Sequence, residues 1–180
     1  VISPVGAINN GLEVLEEEKD EEMRRIAMDL VRKSARQASA KLQFARIAFG
    51  AAGSAGAEID SGEAESVARG FVEGDKISLG WSISRMYLPK NEVKLVLNLP
   101  VLAMNAIPRG GRISTEMTMD EAKRGFLVRA TGINARVPPH AQDLVRGIAP
   151  EGRVDAHAIQ PVYTGLIATA AGLDVAVAIE

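Results

Sequence analysis

The sequence contains no cysteine and only two histidines, His140 and His157. The lack of cysteine excludes disulfide bonds, thiolate nucleophiles and cysteine-ligated zinc. Two histidines are too few for a histidine-rich metal site, and we expect each of them to be an ordinary surface or capping residue. The sequence therefore predicts no metal site and no histidine-based catalytic centre within these residues.

A strong charge imbalance and long apolar runs are also lacking. The formal net charge is −2 over 180 residues, which gives no bulk attraction to nucleic acid or to acidic lipid. The longest apolar stretch, 93–107, is interrupted by Lys94, Asn98, Pro100 and Asn105. It falls short of the roughly 20 apolar residues that a membrane helix needs, and no basic leader precedes an apolar segment at the start. We expect a cytoplasmic protein without nucleic-acid or membrane partners.

The start of the chain has the pattern of two long helices. In the first helix, apolar residues recur three and four positions apart, at Val5, Ile8, Leu12 and Leu15. Asp20 is a plausible N-cap for a second helix that reaches Phe49 without glycine or proline. A helix of that length, about 45 Å, cannot bury its apolar stripe against one short neighbour, so we predict that two copies close a four-helix bundle. The alternative is a monomeric hairpin that folds back on the second domain.

A stretch rich in glycine and alanine follows the second helix, at 50–56. This composition is typical of a linker. The sequence thus predicts a helical hairpin at 1–50, a linker at 51–60 and a second domain at 61–180.

The second domain combines helical and strand patterns. Since its helices and an antiparallel sheet segregate, the predicted fold class is α+β, with a two-layer sandwich behind an all-α bundle. The predicted elements are a helix from Asp60 to near Gly74, a strand at 77–83, a helix opened by Pro89 and kinked at Pro100, strands near 112–118 and 126–131 joined by a turn at 120–125, a short helix after Pro138 and Pro139 with Leu144, Val145 and Ile148, a helix from Pro161 towards Gly172, and a strand at 175–179.

The opening helix resembles the segment that follows the phosphorylated histidine of sensor-kinase dimerisation helices. In the ChpT-type histidine phosphotransferases of alphaproteobacteria this helix reads His-Asp-x-x-Ser-Pro-x-Gly-Ala-Ile-x-Asn-Gly-Leu-Glu, and the matching run here extends from Ser3 to Glu13. The resemblance covers the whole chain. It implies a dimeric helical hairpin followed by a degenerate ATPase-like domain of the Bergerat, or GHKL, class.

The same alignment places the phospho-accepting histidine two residues before Val1, so no catalytic residue is expected within the chain. A phosphohistidine must face solvent, because a receiver domain has to bring its aspartate in line with the phosphorus. At 100° per residue, the acceptor position shares an outward helix face with five residues. We predict that they bind the partner, with an ordinary solvated face as the alternative. They are Ser3, Gly6, Asn10, Glu13 and Glu17.

Basic residues share one face of the second helix, at Arg25, Arg32 and Arg36. The resemblance implies receiver domains as partners, and these carry an acidic, magnesium-binding pocket. We predict that the three arginines steer receiver docking. The alternative is that they only keep a long helix soluble.

The long helix of the second domain resembles the asparagine-rich helix of ATP-binding sensor kinases, with Asn105 in the place of a magnesium ligand. The earlier asparagine of that motif is Val101 here, and Asn98 is out of register. The stretch 131–135 lacks the aspartate that reads adenine, and 136–172 contains no glycine-rich phosphate lid. We therefore predict no cofactor, with ATP binding lost and Mg²⁺ supplied by the partner receiver.

These residues and the resemblance together imply a dimeric histidine phosphotransferase. It relays phosphoryl groups from the receiver domain of a hybrid histidine kinase to downstream response regulators such as CtrA, without ATP. Two alternatives stay open. An ATP-dependent histidine kinase requires measurable ATP binding, and a non-catalytic dimeric receiver-docking module requires that no His-Asp pair precede Val1.

Overall fold

A computed structural model describes residues 2–50, 57–120, 123–149 and 152–179. The chain divides into two compact units, 1–50 and 51–180, and the described residues form a mixed α+β structure. Its helices and strands are, in chain order, α1 (Ile2–Glu17), α2 (Glu21–Ala48), β1 (Glu58–Asp60), α3 (Ser61–Val72), β2 (Ile77–Ser82), β3 (Tyr87–Pro89), α4 (Lys90–Met104), β4 (Gly111–Asp120), β5 (Lys123–Thr131), α5 (Ala141–Val145) and α6 (Ile159–Ala170).

Helices α1 and α2 form the predicted hairpin, joined by a three-residue turn. The Asp20 carboxylate accepts a hydrogen bond from the Met23 N–H at 2.9 Å, which confirms Asp20 as the N-cap of α2. The Arg24 guanidinium donates to the carbonyl oxygens of Leu15 and Glu18. These contacts satisfy backbone groups at helix ends that have no partner within a helix, so they fix the turn between the two helices.

The second unit is built around a three-stranded sheet in the order β2-β4-β5. Strand β2 runs parallel to β4, with Trp81 opposite Thr115, and β4 runs antiparallel to β5. A parallel pair needs a crossover connection, and α4 lies within it. Strands β1 and β3 form a separate antiparallel pair.

The hydrophobic core of this unit is centred on helix α4. Val93, Val96 and Leu97 are fully buried on it, and α4 packs against β4, β5, α3 and α6. Pro100 lies buried inside the helix, as the sequence predicts. Because α4 contacts the sheet and two other helices, its apolar residues are enclosed on nearly every side.

Two predictions about the sheet are wrong. The sheet is mixed rather than antiparallel, because β2 and β4 run in the same direction. The hairpin of β4 and β5 is also longer than predicted: pairing continues to Asp120 and Lys123, so most of the expected turn at 120–125 is strand. Residues 121–122 lie outside the described residues. Pairing with the neighbouring strand holds the polar residues at this end of the hairpin in strand conformation, although their composition alone does not favour a strand.

The strand predicted at 175–179 is absent from the described residues up to 179. The Val177 N–H donates instead to Oε1 of Gln142 at 2.6 Å. A side-chain amide thus takes the place of a neighbouring strand. The alternating apolar pattern of 175–179 therefore reflects which side chains are partly buried, and it does not indicate a strand here.

Two boundaries also differ from the prediction. Residues 51–56 of the predicted linker lie outside the described residues, and its last three residues form β1, which pairs with β3. Asp60 ends this strand and caps α3, since its carboxylate accepts a hydrogen bond from the Gly62 N–H. Helix α5 ends at Val145 and does not include Ile148.

Candidate functional site

The two helices of the hairpin meet closely at a glycine. A Cβ atom at Gly11 would lie 2.6 Å from Cγ2 of Val31, and Pro4, two turns earlier, is also buried. Their neighbours Val5 and Leu12 are 43% and 45% exposed. Helix α1 therefore faces α2 through Pro4 and Gly11, and part of the predicted apolar stripe is left uncovered by α2.

All five residues of the predicted partner-binding face of α1 are exposed. A Cβ atom added at Gly6 would meet nothing within 4 Å, so the backbone there is open to an approaching molecule. Helical spacing brings the five residues onto one side of α1. Their role in binding a partner stays a prediction. They are Ser3, Gly6, Asn10, Glu13 and Glu17.

The three predicted docking arginines of α2 are exposed as well. Arg25 pairs with Glu22 at 2.7 Å, and Arg32 pairs with Asp29 at 3.3 Å. Exposed pairs of this kind contribute little to stability. Arg36 forms no ion pair within the described part of the chain, so its charge is the least compensated of the three.

The asparagines of α4 have different surroundings. Asn98 is fully buried; its Nδ2 donates to the Lys94 carbonyl oxygen at 2.8 Å, and its Oδ1 accepts from Nε2 of Gln160 at 2.8 Å. Asn105 is exposed and forms the C-cap of the helix. Asn98 thus holds α4 against α6, whereas Asn105 faces solvent.

The two histidines are exposed and lie outside helices and strands. His140 precedes α5 with a positive φ of 60°, and His157 lies in a turn where its N–H bonds to Asp155. Among the residues with assigned positions, no three His, Asp or Glu side chains are grouped so as to hold a metal ion. Nor does any described helix have the length and apolar character to cross a membrane.

An open cleft of about 460 Å³ lies between α5, α6 and the segment that follows α6. Its lining combines aliphatic side chains, such as Val145, Val162 and Leu166, with the charged side chains of Arg146 and Asp174. None of the predicted site residues lines it. The cleft therefore adds no catalytic group to the predicted site.

Two residues that shape the hairpin were not identified from the sequence. Gly11 permits the close helix contact, and its signal was available, because an isolated glycine inside a helical pattern often has a packing reason. Arg24 closes the turn through backbone carbonyls, and no sequence pattern distinguishes it from the neighbouring Arg25.

Comparison with known proteins gives consistent results over both units. The family described as "Histidine phosphotransferase C-terminal domain" matches residues 61–180. The "Protein phosphotransferase ChpT" of Brucella abortus (strain 2308) is 49% identical over 177 residues, which cover 98% of this chain and 83% of that protein.

Solved structures agree with this assignment. A bacterial phosphotransferase solved at 1.7 Å superposes with a TM-score of 0.83 at 46% identity, covering 99% of this chain and 84% of that one. Full-length ShkA in complex with AMPPNP is 17% identical, with a TM-score of 0.48, and the match covers 95% of this chain and 39% of that one. The near-complete coverage at 49% identity and the matched domain show that the chain belongs to the ChpT-type histidine phosphotransferases.

Proposed function

We propose that this histidine phosphotransferase works as a homodimer that relays phosphoryl groups between receiver domains without using ATP. The donor is the receiver of a hybrid histidine kinase, and the acceptors are response regulators of the CtrA type. The observation that carries the proposal is the division of α1 into two exposed faces, one apolar with Val5 and Leu12, and one polar with Ser3 and Asn10. The first suits a second copy and the second suits a receiver.

The reacting residue belongs two residues before Val1, according to the alignment on Ser3 to Glu13. Its unprotonated imidazole nitrogen attacks the phosphorus of the donor's aspartyl phosphate. A nitrogen–phosphorus bond forms, the bond from phosphorus to the aspartate oxygen breaks, and the aspartate leaves as a carboxylate. The second receiver reverses these steps with its own aspartate. The receivers supply the Mg²⁺ that neutralises the phosphoryl oxygens.

The dimer follows from apolar surface that one hairpin leaves uncovered. Val5 and Leu12 of α1 are nearly half exposed, and α2 exposes further apolar side chains along its length. A soluble monomer seldom keeps a row of this kind open to water. A four-helix bundle of two hairpins covers it with helix packing of the usual kind.

We propose that the second unit is a degenerate Bergerat-like domain. It provides surface for partner docking and has lost ATP binding. Asn98 supports this proposal, because its amide is buried and bonded to Lys94 and Gln160. Val101 stands in place of a magnesium-ligating asparagine. The stretch 131–135 contains no carboxylate for the adenine amino group. Without these contacts, tight ATP binding has no evident source.

A transfer assay tests the proposal. The protein, including the residues that precede Val1, is incubated with a receiver domain carrying a labelled aspartyl phosphate, in Mg²⁺ and without ATP. We expect the label to move to the protein as an acid-labile, base-stable phosphohistidine, and to be lost when the upstream histidine is replaced by alanine. A parallel incubation with labelled ATP and Mg²⁺ should give no label.

Each rival function predicts a different outcome. Label from ATP in the absence of a receiver would establish a histidine kinase and overturn the proposed loss of nucleotide binding. Receiver binding without any transfer, despite an intact histidine, would refute the relay, and the docking module predicts that no His-Asp pair precedes Val1. Transfer from the receiver alone agrees only with the relay.

A further inference from the structure

The three-stranded sheet of the second unit has one buried face and one open face. Successive side chains of a strand point to opposite faces, and the fully buried positions Leu79, Ile113 and Thr115 fall on one of them. The positions between them on β2 and β4 are exposed or only partly buried. The described helices of this unit therefore pack on one face of the sheet, and the other face is accessible to solvent.

On the open face, the strand register brings one arginine beside three hydroxyl groups. Arg112 of β4 lies between Ser78 of β2 and Thr131 of β5, because each of them is its direct partner in a neighbouring strand. Ser114 follows Arg112 on the same face and pairs with Gly80 of β2. Neighbouring strands lie about 5 Å apart, so these side chains form one polar cluster that a small ligand can span.

Two glycines leave space within this cluster. A Cβ atom at Gly80 would lie 3.2 Å from Nη2 of Arg112, so the guanidinium extends across the surface above this glycine. At Gly110, a Cβ atom would lie 2.9 Å from Cβ of Lys76, which places Lys76 at the same end of the sheet. Gly110 has a φ of 91°, a conformation that favours glycine. Both glycines thus expose backbone where another residue would place a side chain beside a cation.

The two cations of this cluster are not compensated by a carboxylate. Neither Lys76 nor Arg112 forms an ion pair with any residue that the structure describes. Asp75, the neighbour of Lys76 in the chain, makes no described ion pair either. Arg129, one row further along the open face, differs from them because it pairs with Glu116. Two uncompensated cations on one surface attract an anion, and this end of the open face is therefore suited to binding one.

The donors of the cluster fit a phosphate group better than a carboxylate. Arg112 offers a planar fork of N–H groups, and Lys76 adds an ammonium group. The hydroxyls of Ser78 and Ser114 have no hydrogen-bond partner among the described residues, whereas the Thr131 hydroxyl donates to the Arg112 carbonyl oxygen at 3.4 Å. A carboxylate has only two oxygens, but a phosphate monoester presents three strong acceptor oxygens and can use donors from both strands at once.

We propose that the open face of the sheet binds the phosphate group of a small soluble molecule between Lys76 and Arg112, with the hydroxyls of Ser78 and Ser114 as further donors. Binding is reversible, and no bond to phosphorus forms or breaks. Helix α4 packs against the sheet from the opposite face, so the site is separate from Asn105 and from the lost nucleotide contacts. It also does not depend on the proposed relay, because the relay reacts at the hairpin.

An NMR titration with inorganic phosphate, at constant pH and ionic strength, tests the site. We expect saturable shifts of backbone amides at 76–80 and 110–114, with a dissociation constant on the order of 1 mM. Acetate should bind about tenfold or more weakly, because it accepts fewer hydrogen bonds. Adenosine monophosphate should bind about as tightly as inorganic phosphate, since the site contacts the phosphate group alone.

Two charge-removing variants localise the binding. Arg112→Gln should raise the dissociation constant for phosphate about tenfold, the loss typical of a charge-assisted hydrogen bond. Lys123→Gln is the matched control, because Lys123 is an exposed cation at the far end of the open face, opposite Asp120; it should change the constant less than twofold. Phosphate should also raise the thermal unfolding midpoint of the unchanged protein and of Lys123→Gln, but much less that of Arg112→Gln.

Three results would overturn the assignment. The first is the absence of saturable shifts at 76–80 and 110–114 up to phosphate concentrations on the order of 20 mM. The second is an Arg112→Gln variant that stays folded, as its amide spectrum away from the site shows, and binds phosphate within about twofold of the unchanged protein. The third is adenosine monophosphate binding more than about tenfold tighter than phosphate, which would indicate a nucleotide site.

Discussion

The two units of the chain treat their apolar residues in opposite ways. In the second unit, large side chains such as Leu88, Leu97 and Ile113 are fully inaccessible to solvent. In the hairpin, the buried apolar residues are mostly alanines, whereas Leu12, Ile26 and other large side chains are exposed. The second unit therefore carries its own core, whereas the hairpin leaves many of its large apolar side chains exposed. Apolar burial stabilises the second unit directly, and in the proposed dimer it would stabilise the hairpin on association.

The largest expected effect concerns the core of the second unit. Leu97→Ala should lower the free energy of unfolding by about 3 kcal/mol, because a fully buried leucine leaves a cavity. Since the core is internal to one chain, the loss should not depend on protein concentration. Leu166→Ala is the matched control; this leucine is 64% exposed, and its replacement should change stability by no more than about 0.5 kcal/mol. Urea unfolding measures both.

The next effect concerns the close contact within the hairpin. Gly11→Leu should cost about 2 kcal/mol, because a Cβ there already lies 2.6 Å from Cγ2 of Val31 and a larger side chain forces the helices apart. Gly6→Leu in the same helix meets open space and should gain about 0.5 kcal/mol from helix propensity. The helical signal during urea unfolding reports both changes. Equal effects at the two glycines would show that α1 and α2 do not meet at Gly11.

A smaller effect is expected at the hairpin turn. Arg24→Met should cost about 1 kcal/mol, because the guanidinium bonds to the carbonyl oxygens of Leu15 and Glu18. Arg25→Met removes only an exposed pair with Glu22 and should cost less than about 0.5 kcal/mol. Thermal unfolding of the two variants side by side separates these contributions. A larger loss at Arg25 would contradict the assigned role of Arg24.

The smallest effect is an acid dependence confined to the second unit. The hydrogen bond from the Arg85 side chain, followed by that from the Gly62 N–H, holds the pKa of Asp60 below its usual value. The stabilisation is therefore present above the ordinary aspartate pKa, near 4, and is lost as the pH falls through the lowered value of the folded protein. Asp60→Asn keeps a good N-cap residue for α3 but should lose less stability than the unchanged protein between pH 5 and pH 3.

Arg85→Gln provides an independent check on the same pair. It removes the guanidinium that bonds to Asp60 at 2.7 Å, so the acid-induced loss of stability should shrink here too. Chemical unfolding at several pH values measures this slope. An unchanged slope in both variants would show that other carboxylates dominate the acid response.

Local sequence signals predicted most elements of the second unit and failed where pairing is long-range. The cap at Asp60, the alternation in 77–83 and the proline before α4 each depend on neighbouring residues, and the structure confirms the elements they indicate. The parallel pairing of β2 with β4 and the Gln142 bond that replaces a strand at Val177 involve residues far apart in sequence. No local pattern encodes such contacts.

The candidate site shows the same division. Helical spacing alone predicted that Ser3, Gly6 and Asn10 share an exposed face, because a regular helix fixes the direction of each side chain. The exposure of Val5 and Leu12 depends on how α2 is rotated against α1. That rotation is set by packing at Gly11 and Val31, and it required the structure.

Sedimentation equilibrium of the chain over a wide range of concentrations tests the central contrast between the two units most directly. The proposed dimer predicts twice the mass of one chain, with dissociation on dilution and a shift towards monomer in the Val5→Gln/Leu12→Gln variant. A mass of one chain at every concentration, with the hairpin still helical, would contradict it.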